Sequence, residues 1–139
     1  EQATPAEVDA DKVTAEQPDF VSFNGIANQY DQEPLTAEVG DRVRIWVLDS
    51  GPNRPTSFHV IGGQFDTVYA EGTYLLRDGR GPLDDPETPG QGGSQVLALS
   101  PGQGGFVELT MPEAGHYPIV SHLMVDAERG AHGILRVTQ

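Results

Sequence analysis

Apolar residues recur at alternate positions in short runs along this chain, and turn residues cut the runs apart. Val43-Arg44-Ile45-Trp46-Val47-Leu48 is one such run. Val43, Ile45 and Val47 fall on one face, and Arg44, Trp46 and Leu48 on the other. Both faces are largely apolar, which predicts a central strand. In Phe106-Val107-Glu108-Leu109-Thr110-Met111, residues Val107, Leu109 and Met111 point inward. Shorter strands are expected at 20–23, 35–39, 58–61, 65–69, 73–76, 95–99, 116–122 and 133–137. Turn clusters such as Asn24-Gly25, Gly40-Asp41, Asp49-Ser50-Gly51-Pro52 and Gly62-Gly63 close several of them. No stretch sustains a helical period. The pattern predicts an all-β Greek-key β-sandwich of eight or so short strands.

Two segments depart from the strand pattern. Residues 1–19 are polar and hold six acids (Glu1, Glu7, Asp9, Asp11, Glu16 and Asp19) against Lys12. They read as an acidic linker or tail with a short helical turn at 6–15, leaving 20–139 as one domain. Residues 77–94 are a Gly/Pro/Asp excursion with almost nothing to bury, hence a long surface loop of the kind that is often mobile or functional.

Composition narrows the function classes. The 139 residues carry 8 basic against 21 acidic side chains, a net charge of −13, which argues against a nucleic-acid or anionic-membrane partner. Gly 17 and Pro 11 fit a turn-rich β fold. No apolar run reaches the length of a membrane helix and none at the start looks like a leader, so the chain reads as a mature protein or an excised domain. The absence of cysteine excludes disulfides, thiolate nucleophiles and zinc-thiolate or blue-copper sites within it.

The remaining chemistry lies in histidines. His59 sits in Ser57-Phe58-His59-Val60-Ile61-Gly62-Gly63 and His122 ends Tyr117-Pro118-Ile119-Val120-Ser121-His122. Two strand histidines this far apart in sequence meet only if a sheet brings them together. They are either a metal or proton-transfer pair, or two half-buried strand histidines bonded to backbone. His116 at a turn reads as a surface residue, and His132 as a closing-strand residue of little functional promise. Asp66 and Glu71 read as strand-end and turn residues, and Met111 and Met124 as packing residues.

Several motifs in order carry a resemblance. Leu35-Thr36-Ala37-Glu38-Val39-Gly40-Asp41-Arg42-Val43-Arg44-Ile45 resembles the opening of cupredoxin domains. Asn24-Gly25, Ser57–Gly62, Phe65–Gly72, Gly115–His122 and Gly130–Val137 fit the same pattern. Together, over about residues 20–139, they resemble the second, C-terminal cupredoxin domain of copper-containing nitrite reductases and related multicopper oxidases. The resemblance implies that His122 is a ligand of a type 2 copper, that His59 is the catalytic histidine on the substrate side, and that Ile61 shapes the substrate pocket. It implies no type 1 copper. Leu123 stands where that site's cysteine would be, Ala131 where its methionine would be, and Arg54 where its first histidine would be. It also implies partners: a type 1 copper cupredoxin domain of the same or a neighbouring chain, within a homotrimer in a periplasmic or extracellular setting.

A type 2 copper needs about three imidazoles and an open position. This chain offers at most two that could converge, so the other ligands must come from elsewhere and the isolated chain is expected to be inactive. Two other functions compete with this one. One is a copper-free cupredoxin scaffold for oligomer assembly. The other is a small module that holds copper through surface histidines without catalysis, which the sparse histidines disfavour.

Overall fold

The computed structural model describes residues 7–139. Its strands are β1 (Leu35–Glu38), β2 (Arg42–Leu48), β3 (Thr56–Val60), β4 (Thr67–Ala70), β5 (Thr73–Leu76), β6 (Leu97–Leu99), β7 (Gly104–Thr110), β8 (Gly115–Ser121) and β9 (His132–Thr138). Three short helices accompany them, α1 (Ala10–Thr14), α2 (Gln29–Gln32) and α3 (Met124–Glu128). The strands form two sheets, ordered β1-β9-β8-β3-β6 and β2-β7-β4-β5. Successive strands mostly cross from one sheet to the other, as in a Greek-key sandwich. The β1–β9 pair is parallel and the other pairs are antiparallel.

The facing sides of the sheets make the core. Phe58, Val60, Phe65, Val68, Leu97, Leu109 and Leu135 are all buried there. Removing each such side chain from water contributes about 1.5–3 kcal/mol. Val107 and Leu109 of β7 and Met111 just past its end are buried as expected, but Phe106 and Glu108 on the opposite face are buried as well, so burial does not alternate along the strand.

Three expectations are corrected. The run 43–48 is not central: β2 is an edge strand, with Trp46 67% and Leu48 68% exposed. The doubly covered strand is β7, whose outward Phe106 lies against Trp46 at 4.8 Å and Tyr69 at 5.0 Å. Residues 20–23 form no strand. Their backbone meets a turn instead of a strand edge, with Val21 N–H donating to the Arg129 carbonyl, while Phe23 packs edge-on against Phe58. Finally, α2 and α3 were not expected; each is about one helical turn, too short to leave a period in sequence. The expected helical turn at 6–15 corresponds to α1, capped by the Asp9 carboxylate, with Ala6 outside the described residues. The 77–94 excursion is pinned at its ends by the Arg77–Arg80 and Phe65–Ser94 bridges.

Candidate functional site

His59 lies on β3 between Phe58 and Val60, both of which enter the core, so strand alternation turns its ring to the outer face. Its neighbour across the sheet is Val120 of β8. His122 follows the end of β8, two residues beyond Val120, and its N–H donates to the Ser57 carbonyl at 2.7 Å. The sheet therefore brings the two histidines together on one face, with ring centroids 5.5 Å apart and planes inclined by 45°.

The two rings are held differently. His59 Nδ1 faces the Gln95 carbonyl, which can only accept. The proton of a neutral His59 ring therefore sits on Nδ1, and Nε2 keeps its lone pair. His122 is exposed, and its ring carries no hydrogen bond to any described residue. Ile61 is 42% exposed, with its N–H bonded to the Pro118 carbonyl at 2.8 Å. The chain turns away directly after it at Gly62, whose φ of +86° is a conformation that L side chains rarely adopt.

The pair lies on open surface. Cavities of about 460 Å³ and 820 Å³ lie elsewhere, and neither is lined by His59 or His122. Among the described residues no three histidines, aspartates or glutamates converge closely enough to hold a metal. Ile61, Met124 and Val125 are all substantially exposed, the last two at the start of α3 just past His122.

The other sequence candidates are mostly spoken for. His116 is exposed on β8, opposite Arg136. Asp66 pairs with Arg42 at 2.9 Å, and Glu71 accepts from the Gly104 N–H at 2.7 Å. Met111 is core. His132 bonds Asp31 of α2 at 3.0 Å, a partnership invisible in sequence because 101 residues separate the two.

The corner holding Arg54, Leu123 and Ala131 is also occupied. Arg54 lies 3.2 Å from Asp126, which is buried on α3, in an ion pair without the alignment of a hydrogen bond. Ala131 is buried beside it, its N–H donating to the Asp126 backbone carbonyl. Sequence reasoning missed Asp126 entirely, since nothing marks α3 as a helix. It also missed Gln95, which acts through its backbone carbonyl and so leaves no residue-type signal.

No family model matches the chain. It is 36% identical over 131 residues, 93% of its length, to a copper-containing nitrite reductase of Neisseria gonorrhoeae. It is 27% identical over 128 residues to a multicopper oxidase of Staphylococcus epidermidis. It spans 30% and 25% of the lengths of these two relatives. Among solved structures, a Cu-containing nitrite reductase from Thermus scotoductus SA-01 superposes with a TM-score of 0.77 at 29% identity, covering 92% of this chain and 27% of that one.

Proposed function

The chain belongs to the family of cupredoxin domains found in copper nitrite reductases and multicopper oxidases, and we propose that within such an enzyme it supplies half of a type 2 copper site. His122 is the contributed ligand, His59 is the catalytic histidine on the substrate side, and Ile61 walls the substrate. The observation that carries this reading is a pair of imidazoles 5.5 Å apart on open surface, where among the described residues one ring has no hydrogen bond and no third ligand is in reach. Imidazole nitrogen suits copper, and an exposed, unbonded ring at a surface is what a ligand shared with another domain requires.

Copper bound there would act as a Lewis acid and electron-transfer centre for a bound oxyanion or dioxygen. The work of this chain's own residues is narrower. The Gln95 carbonyl fixes the tautomer of His59, so Nε2 is the atom that takes up a proton and hands it to substrate. The missing ligands and the electron source come from a type 1 copper domain of the same or a neighbouring chain, in an extracytoplasmic homotrimer. The Arg54–Asp126 ion pair supports the absence of a type 1 copper here, because a guanidinium and a buried carboxylate fill the corner where one would sit.

Replacing His122 with alanine in the assembled enzyme tests the reading. We expect loss of the type 2 electron paramagnetic resonance signal, retention of the type 1 signal, and a fall in nitrite reduction of at least about 100-fold, beyond the loss typical of outer-shell residues. Unchanged type 2 copper in His122→Ala would leave the copper-free scaffold as the better account.

A further inference from the structure

Of the four strands at sheet edges, β2 is seven residues long and β1, β5 and β6 are three or four. Just past its end, Asp49 donates its N–H to the Gln103 carbonyl at 2.9 Å. Antiparallel pairing alternates between bonded and unbonded pairs. Val47, Ile45 and Val43 therefore turn their backbone groups toward β7, and Leu48, Trp46, Arg44 and Arg42 turn theirs to the free edge. No described residue bonds those outward N–H and C=O groups. Proteins guard such an edge with Lys, Pro, a bulge or an inward charge. β2 contains neither Lys nor Pro, and the irregular pairing in its sheet lies between β4 and β5. Its two charges are drawn over β7, where Glu108 holds Arg42 and Arg44.

The sandwich is open on the same side. Val43, Ile45 and Val47 face the core from β2 yet are only half-buried, and Trp46 and Leu48 on its other face are exposed. The 820 Å³ cavity follows this edge. Residues 45–48 line it from β2, and Leu35, Phe58 and Ile119 line it from the other sheet. An added strand would find free hydrogen-bonding groups along the edge and an apolar cleft beside it for alternate side chains.

We propose that the strand added there is β2 of a second copy of this chain, paired antiparallel about a two-fold axis at Ile45. The strand's own sequence sets the register. Ile45 is the midpoint of Arg42–Leu48, so this axis pairs the whole strand. Arg44 then faces the partner's Trp46, and Arg42 faces the partner's Leu48. These are the residues with outward backbone groups, so both pairs are hydrogen-bonded. Val43 faces the partner's Val47, and Ile45 faces the partner's Ile45, with their side chains entering the clefts. An axis between residues would set inward side chains opposite outward ones. An axis at Arg44 would set two guanidinium groups opposite each other, which is destabilising. The pairing joins two four-stranded sheets edge to edge and leaves His59 and His122, on the other sheet, uncovered. It is independent of the copper-site reading.

Sedimentation of the full chain and cysteine cross-linking test the pairing together. Each copy carries a net charge of −13, so association is measured at about 0.5 M salt, where repulsion is screened. One strand pair and a filled cleft make a small interface, and the expected dissociation constant is about 10–100 µM. Trp46→Pro removes an outward N–H and no bond to β7, and should weaken association by at least about 10-fold. Trp46→Thr keeps that N–H and should weaken it less. The chain has no cysteine, so Ile45→Cys adds a single thiol. Unbonded facing pairs stand about 4.5 Å apart between Cα atoms, within disulfide reach. Oxidised Ile45→Cys should run as a covalent dimer, whereas Leu75→Cys, exposed on the far edge strand β5, should not. A wild-type chain still monomeric at about 500 µM would overturn the proposal. So would a dimer as tight in Trp46→Pro as in wild type, or cross-linking no faster at position 45 than at position 75. If Trp46→Pro does not fold, the cross-linking comparison decides alone.

Discussion

The outer faces of the two sheets handle polar groups in opposite ways. On the β2-β7-β4-β5 face, Glu108 receives Arg42 at 2.7 Å and Arg44 at 2.5 Å, and Arg42 also pairs with Asp66 at 2.9 Å and Asp78 at 3.1 Å. Arg44 lies 4.4 Å above the Phe106 ring, inside a row of Trp46, Phe106, Tyr69 and Tyr74 that crosses all four strands. Every charge in that cluster has a partner from the chain itself. On the β9-β8-β3 face, the His122 ring has none among the described residues and His59 has one fixed nitrogen. Groups satisfied within the chain are architecture. An exposed imidazole left open on an otherwise well-bonded surface is what the proposed shared copper site requires.

The Arg54–Asp126 corner breaks this contrast on purpose, since it lies beside the open histidines yet is internally paired. Arg54→Ala would leave Asp126 buried and uncompensated. A broken buried pair costs 3–5 kcal/mol, and the 27% exposure of the Arg54 side chain lowers that to about 2–3 kcal/mol. Urea unfolding of the chain measures it. Arg54→Met combined with Asp126→Leu should recover most of the loss, because an apolar pair of similar volume is often no worse than a buried ion pair. If the single change were neutral, the corner would not be the internally charge-paired element the contrast requires.

Glu108 gives the next largest effect. Burial alone pushes its carboxyl up, but the hydrogen bonds and charges of Arg44 and Arg42 outweigh burial and hold it below its ordinary value of 4.5. A carboxyl depressed in the folded state contributes stability above pH 4.5 and loses that contribution as pH falls through the folded value. Glu108→Gln should therefore be less stable than wild type at pH 7, by about 1–2 kcal/mol because both arginines are more than 40% exposed and screened by solvent. The gap should close as pH drops below 4.5. Thermal melts between pH 7 and pH 3 check the sign: a gap that widened in acid would contradict the network.

The same contrast marks what the sequence could carry. Strand positions were legible because alternation is local: Val107, Leu109 and Met111 read as inward and are buried. The rank of a strand within its sheet was not, because two apolar faces mean either a central strand or an edge with exposed Trp46 and Leu48, and only the pairing decides. The meeting of His59 and His122 followed from the motifs, which carry the topology implicitly. His132 read as a closing-strand residue and is the first residue of β9; its bond to Asp31 was illegible because the two lie 101 residues apart and no local pattern encodes their meeting. The Gln95 carbonyl was illegible for a different reason, since every residue type has one.

The smallest effect is the sharpest test of the open face. If the His122 ring serves only a partner outside the chain, removing it should cost the isolated chain almost nothing. The ring is exposed, bonded to no described residue, and touches His59 at a centroid distance of 5.5 Å with no interlocking geometry. Its backbone N–H bond to Ser57 survives any substitution except proline. His122→Ala should therefore change unfolding free energy by no more than about 0.5 kcal/mol, the range of surface substitutions. His59→Ala should cost slightly more, about 0.5–1 kcal/mol, because it removes the ring's bond to the Gln95 carbonyl. A loss of 2 kcal/mol or more in His122→Ala, about the loss expected at Arg54, would mean the ring is structural after all. The two faces would then differ only in which residues hold the sandwich together.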